Sequence, residues 1–322
     1  MEFDLIELIR RHTAQPRDDV RLGIGDDAAV LAVPAGQELA VAIDTLVDGV
    51  HFPHGTAAGD IGWKALAVNL SDLAAMGASP AWALLALTLP TPDVAFVEGF
   101  AEGFARLAQL HRLALVGGDT TRGPLCISVV VHGFVPPGKA LTRAGARAGD
   151  AVLVTGTLGD AAAGLHALQH PWRDDDPRSN LREFLIERLN RPVPRLAAGA
   201  ALRGQASACA DISDGLLADL GHICTASGVG AEIEAALLPR SSALLGLHDE
   251  AAALHFALSG GDDYELCFTV PAQRLADVQA DLSRLGFGVT RIGRIVEGKG
   301  VRVRGADGVW LTTDRSGWEH FA

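Results

Sequence analysis

Residues 63–80, reading Trp-Lys-Ala-Leu-Ala-Val-Asn-Leu-Ser-Asp-Leu-Ala-Ala-Met-Gly-Ala-Ser-Pro, constrain the fold more than any other stretch. Ala and Leu dominate, no Gly or Pro interrupts before Gly77, and Gly77 with Pro80 supplies the stop. The pattern predicts a helix that is apolar almost all round and therefore buried. Asn69 and Asp72 nevertheless stand three residues apart on one face of it. An unpaired buried carboxylate is costly, so Asp72 needs a positive neighbour. An arginine partner or a helix cap would suffice for one such residue. The rest of the chain supplies many more carboxylates and few obvious cations.

The 322 residues, 48% hydrophobic and 20% charged, suggest about two domains. The Pro/Gly-rich segment Gly133–Lys139 and the Arg/Gly-rich 141–147 mark the junction, giving expected domains at 1–138 and 149–322. Net charge is −12 and no Lys/Arg stripe occurs, which argues against nucleic acid and anionic membrane as partners. The apolar run 81–89 is too short to span a bilayer. The start, Met-Glu-Phe-Asp, has no apolar signal core, and the four cysteines (126, 209, 224, 267) form no C-x-x-C pair. A reduced, cytoplasmic protein is the expectation.

Two nucleotide-binding decoys are rejected on physical grounds. Gly23-Ile24-Gly25-Asp26-Asp27-Ala28 has nearly the dinucleotide spacing, with Asp44 where a ribose acid would stand. Strand and turn follow it, not a helix, and adjacent carboxylates repel a naked pyrophosphate. They suit a phosphate wrapped in Mg²⁺. Gly133 to Lys139 has P-loop spacing but lacks the Ser/Thr, and Pro136 and Pro137 remove N–H donors.

Aspartates recur at turns and element ends: 26/27, 44 (after a strand 39–43), 72, 119 (in a Gly117-Gly118 loop after a strand 113–116), 211, 214 and 262/263. The last pair follows Gly260-Gly261 after an expected strand 256–258. A Ser/Asp cap at 213–214 would start a helix, explaining one of Asp211 and Asp214 but not both. No matching set of Lys/Arg neutralises these residues, so hard divalent cations are the natural counter-charge. Metal-assisted hydrolysis and phosphoryl transfer through nucleotide-bound Mg²⁺ both fit. Transfer is favoured, since no His is placed to ligate a hydrolase metal pair.

The motifs at 23–29, 44–52, 64–78, 117–123, 141–143, 211–216 and 259–266, in this order along nearly the whole chain, resemble the thiamine-monophosphate kinase family. That family lies within the aminoimidazole ribonucleotide synthetase-like superfamily. The resemblance implies a two-domain α/β (α+β) fold, with N-terminal strands forming a barrel across a homodimer and a C-terminal α/β domain closing the active site. It implies ATP-dependent phosphorylation of thiamine monophosphate, the last step of thiamine diphosphate biosynthesis, with several Mg²⁺ ions. Carried over residue by residue, Asp27, Asp44, Asp72, Asp119, Asp211 and Asp214 would ligate the metals, and Asp44, Asp72, Asp119 and Asp214 would carry catalysis. Gly118, Asp119, Arg143 and Ser213 would contact ATP; His51, Asp262 and Trp318 would line the thiamine-phosphate pocket. This chain departs from the family pattern at Ala42-Ile43, where hydroxyl residues are common, and at Asp262, where Glu is common. A superfamily relative with another acceptor, and a nucleotide-binding module without turnover, are the competing readings.

Overall fold

The computed structural model describes residues 2–173, 175–312 and 317. The chain divides into two compact units, residues 1–73 with 78–138, and residues 74–77 with 139–322.

The first unit runs α1 (Glu2–Thr13), β1 (Val20–Leu22), β2 (Val30–Leu31), β3 (Glu38–Val47), α2 (Ala58–Ala75), β4 (Ser79–Leu89), α3 (Val94–Leu110), β5 (Ala114–Arg122) and β6 (Cys126–Val135). Its four-stranded sheet has the order β3-β6-β4-β5, antiparallel except for the β4/β5 pair joined through α3. That parallel pairing is why a helix intervenes: parallel neighbours need a crossover. The side chain of Asp93 starts α3 by accepting the Phe96 N–H at 3.0 Å.

Alternation along the strands sorts the sheet into two faces. Leu85, Leu87, Ile127, Val129 and Val131 are buried on one. A Cβ built on Gly133 of that face would meet the Leu73 side chain of α2 at 3.1 Å, so α2 covers this side. The other face is partly open: Leu39, Val41 and Ile43 of β3 are exposed, Ile43 to 61%. At its far end Trp82, Ala114 and Val116 are covered by Val20 and Leu31 from the small β1/β2 sheet.

Helix α2 is buried as the sequence predicts, and glycines let α3 approach it. A Cβ at Gly103 would stand 1.9 Å from the Gly59 carbonyl oxygen, and one at Gly62 would stand 2.0 Å from that of Phe100. The helix backbones therefore touch. Gly103→Ala is expected to cost about 1–3 kcal/mol through overpacking, read as a lower urea midpoint; an unchanged midpoint would show that α3 can retreat freely.

Two strands extend further than expected. Asp44 and Thr45 lie inside β3, not past its end, and Gly117 to Arg122 continue β5 instead of forming a loop. Pairing with neighbours extends both: Asp44 pairs with Val129, and Gly118 and Asp119 pair with Leu85 and Ala86. Gly118 has φ +151°, and a Cβ there would lie 1.9 Å from the Leu85 carbonyl oxygen. Its lack of a side chain serves this strand contact.

The second unit contains β7 (Ala151–Thr155), α4 (Asp160–Gln169), α5 (Ser179–Asn190), α6 (Leu196–Leu202), β8 (Ala208–Asp211), α7 (Leu216–Ser227) and β9 (Gly230–Glu234). It continues through α8 (Ser242–Leu247), α9 (Glu250–Ser259), β10 (Leu266–Val270), α10 (Leu275–Arg284), β11 (Val289–Val296) and β12 (Gly300–Arg304). The six-stranded sheet has the order β12-β9-β11-β7-β10-β8, with only β12/β9 parallel. Strands β7, β8 and β10 are buried at every position, hence their small and apolar residues, with Thr155, Asp211 and Thr269 as the exceptions. Val152, Val154, Ile212, Leu216, Leu220 and Ile292 belong to one core cluster. The expected strand 256–258 is instead the end of α9, whose Asp249 cap accepts the Ala252 N–H at 2.8 Å. A short apolar triplet does not distinguish the two states. Among the described residues no helix is long and apolar enough to cross a membrane.

Candidate active site

In the first unit the acidic residues are set by α2 and by the two edges of the sheet. The Asn69 side chain accepts the Asp44 N–H at 2.9 Å and donates to the Ala65 carbonyl at 2.9 Å. Asn69 thus ties α2 to edge strand β3, and the tie is itself fully buried at Asn69. Asp72, three residues on and half-buried, shares the Asn69 face of α2. The half-buried His51 closes the turn after β3: its ring Nδ1 accepts the Val47 N–H at 3.0 Å, and its backbone N–H donates to the Val47 carbonyl at 3.0 Å. The neutral ring therefore carries its proton on Nε2.

Asp119 is not beside Asp44. Asp44 pairs with Val129, Val129 with Leu85, and Leu85 with Gly118. Three strand spacings of roughly 4.8 Å separate the two edges by about 14 Å. Asp27 is exposed in the turn between β1 and β2, where Gly25 has φ +125°. Asp26, not Asp27, builds that turn, its carboxylate accepting the Asp27 N–H at 2.9 Å.

In the second unit the site motifs are joined through the backbone. Asp211 ends β8 and is buried; Ser213 and Asp214 follow it into α7. Neither caps the helix. The cap position is Gly215, without a side-chain cap bond, and Asp219 from the first turn reaches back instead. One Asp219 oxygen accepts the N–H groups of Ser213, Asp214 and Gly215 at 3.1, 3.1 and 3.2 Å. Burial, reinforced by the charges of Asp211 and Asp214, pushes the Asp219 carboxyl up to about 7. Asp214, Asp219 and His222 each present one potential ligand atom, all within 4.8 Å of one another. The 141–147 segment is not a loose linker. The Thr142 carbonyl accepts the Cys209 N–H at 2.8 Å, and the Ser227 hydroxyl donates to the Arg143 carbonyl at 3.2 Å. This holds Arg143, itself exposed, against the end of α7.

The loop 259–265 zips onto the same motif. Asp262 N–H donates to the Ser213 carbonyl, Tyr264 N–H to that of Ile212, and Ile212 N–H to that of Glu265, each at 2.8 Å. Asp262 and Tyr264 both adopt left-handed backbone, at φ +67° and +49°. Between them Asp263 turns inward, fully buried, and accepts the Gly159 N–H at 2.8 Å. Burial holds its carboxyl well above the usual range. Glu265, with no exposed surface, accepts from Arg195 Nε at 2.6 Å and from Arg195 Nη2, from Arg188 Nη2 at 2.9 Å and from Thr155 Oγ1 at 2.6 Å. Asp263 therefore leaves the set of expected surface carboxylates and becomes a core anchor facing the Arg188 charge. Trp318 lies outside the described residues. Sequence reasoning missed Asp219 and Glu265 as organisers and passed over the tie made by Asn69. An acid in the first turn of α7 and arginines at 188 and 195 were the available signals.

Residues 25–135 match the family described as AIR synthase related protein, N-terminal domain, and residues 147–306 match AIR synthase related protein, C-terminal domain. The thiamine-monophosphate kinase of Escherichia coli (strain K12) is 49% identical over 324 residues, covering 100% of this chain and 98% of that protein. The crystal structure of thiamine-monophosphate kinase from Stenotrophomonas maltophilia K279a matches with a TM-score of 0.87 and 51% identity, over 95% of this chain and 96% of that one. The structure of AaThiL complexed with AMPPCP and TMP matches with a TM-score of 0.79 and 35% identity, over 99% and 97% of the two chains. With both AIR synthase-related domains in order on a mixed α/β framework, and near half the residues shared along its full length, the chain belongs to the thiamine-monophosphate kinase family.

Proposed function

We propose that this protein phosphorylates thiamine monophosphate with ATP, giving thiamine diphosphate and ADP. The observation that carries the reading is full-length similarity at 49% identity to a thiamine-monophosphate kinase. The related structure holding AMPPCP and TMP supports both substrates. The acceptor phosphate is already an anion at neutral pH, so no side chain need act as nucleophile. One of its oxygens attacks the γ-phosphorus in line, and the bond to the ADP oxygen breaks. The protein's task is positioning and charge neutralisation.

Oxygen donors on turns and strand edges suit Mg²⁺, which would offset repulsion between the two polyanions when bound. Asp27, Asp44, Asp72, Asp119, Asp211 and Asp214 would hold the ions; of these, Asp44, Asp72, Asp119 and Asp214 would act at the transferred group. The fit is one of geometry and charge: Asp214, Asp219 and His222 present ligand atoms within 4.8 Å of one another, and the Asp219 carboxyl, raised first by burial and then by the charges of Asp211 and Asp214, stands where a cation would offset that repulsion. Within one copy Asp44 and Asp119 lie on opposite edges of the sheet, so they would hold different ions. Gly118, Asp119, Arg143 and Ser213 would contact ATP, and His51, Asp262 and Trp318 the thiamine end, where a carboxylate and an aromatic face attract the cationic thiazolium. Residues 1–138 would supply ATP, metal and dimer contacts, and 149–322 the remaining ligands.

A cytoplasmic homodimer is part of the same proposal. The exposed Leu39, Val41 and Ile43 on an unpaired edge strand favour closure of the sheet into a barrel with a second copy. Chromatographic product analysis with ATP, Mg²⁺ and thiamine monophosphate tests the function, with thiamine and aminoimidazole ribonucleotide precursors as competing acceptors. The expected result is thiamine diphosphate with one equivalent of ADP, abolished by chelator and restored by Mg²⁺. ATP consumed only with another acceptor would overturn it.

A further inference from the structure

The loop at 259–265 is built at a cost that packing alone does not explain. A left-handed backbone is rare for a bulky aromatic residue and persists only where the surroundings over-determine it. Here they do. Asp263 is pinned to the Gly159 N–H on one side of Tyr264, and Glu265 is clamped by Arg188, Arg195 and Thr155 on the other. The Tyr264 N–H is tied to Ile212 as well. The outcome is a mostly buried ring whose hydroxyl donates to Asp262 Oδ1 at 2.9 Å. Asp262 is itself half-buried and anchored by its N–H to Ser213. A phenol that occupies one carboxylate oxygen fixes the plane of the whole group.

We propose that Tyr264 is a positioning residue for acceptor recognition, its hydroxyl holding the Asp262 carboxylate in the orientation that receives the positively charged ring portion of the acceptor. This rests on the kinase reading above. The two parts separate experimentally, because the native enzyme either does or does not make thiamine diphosphate before any variant is compared.

Steady-state kinetics of Tyr264→Phe is the test, since the ring stays in the core and only the donor is lost. KM for thiamine monophosphate is expected to rise about 10-fold, the size of one hydrogen bond's contribution, while kcat and KM for ATP stay within about twofold. In an Asp262→Asn background, Tyr264→Phe is expected to add almost nothing, as coupled residues do. An unchanged acceptor KM, an equal rise in both KM values, or full additivity with Asp262→Asn would each overturn the proposal. Tyr264 is the one tyrosine in the chain, so 3-fluorotyrosine labelling of the native sequence gives a single ¹⁹F resonance and a test independent of how the variant folds. That resonance should move on saturation with thiamine monophosphate. A resonance left unmoved sinks the idea.

Discussion

Asp72→Asn is expected to lower kcat about 10³-fold, equivalent to about 4 kcal/mol of transition-state stabilisation, with the fold intact. The substitution keeps the side-chain shape and removes only the charge. The apolar packing of α2 is made by other residues: Leu66, Leu70 and Leu73 are buried, and Asn69 makes the tie to β3. What the charge does is keep a carboxylate half-exposed on the helix face that meets the strand of Asp44. Circular dichroism and the thermal midpoint should match the native protein, while turnover falls and the Mg²⁺ concentration for half-maximal rate rises. Native turnover in the variant would remove Asp72 from the metal site.

Glu265→Ala should have the largest effect on stability, a loss of about 3–5 kcal/mol, the range for stripping one partner from a buried ion pair. Arg195 and Arg188 are largely buried, and the carboxylate they share has no exposed surface. Removing it strips Arg195 of its bonds to that carboxylate and leaves Arg188 facing only Asp160 and Asp263, themselves desolvated and held above the ordinary carboxylate range. Against a typical total of about 5–15 kcal/mol, such a loss decides whether the second unit stays folded at moderate urea. The measurement is the urea midpoint with the slope compared between variants. Glu265→Gln, which keeps the shape and some acceptor capacity, should fall between the two. A loss under about 1 kcal/mol for Glu265→Ala would mean that water reaches the arginines freely.

Much of this was legible in the residues because it is local. The body of α2 from Trp63 and its stop before Gly77 are specified by local composition, which needs no partner, although the helix begins earlier, at Ala58. The decoy phosphate loops were excluded by the prolines and carboxylates within them. The acidic motifs, their order and their metal-seeking character were likewise carried by residue type alone. Strand limits were not local. Asp44 and the Gly117–Arg122 run became strand because β6 and β4 pair with them, and such pairing joins residues tens of positions apart.

Asp262 and Asp263 make the division plain. The two are identical neighbours, and any reading by type treats them alike. Opposite fates follow from the backbone turning left-handed at Asp262, which leaves that side chain half-exposed beside the Tyr264 hydroxyl and drives Asp263 inward to the Gly159 N–H. Sequence by itself determined which chemistry the chain can carry: oxygen ligands, few cations, glycines where backbones must meet. Tertiary structure decided which of those carboxylates reach solvent and which are consumed as anchors, because desolvation depends on burial and burial depends on contacts remote in the chain.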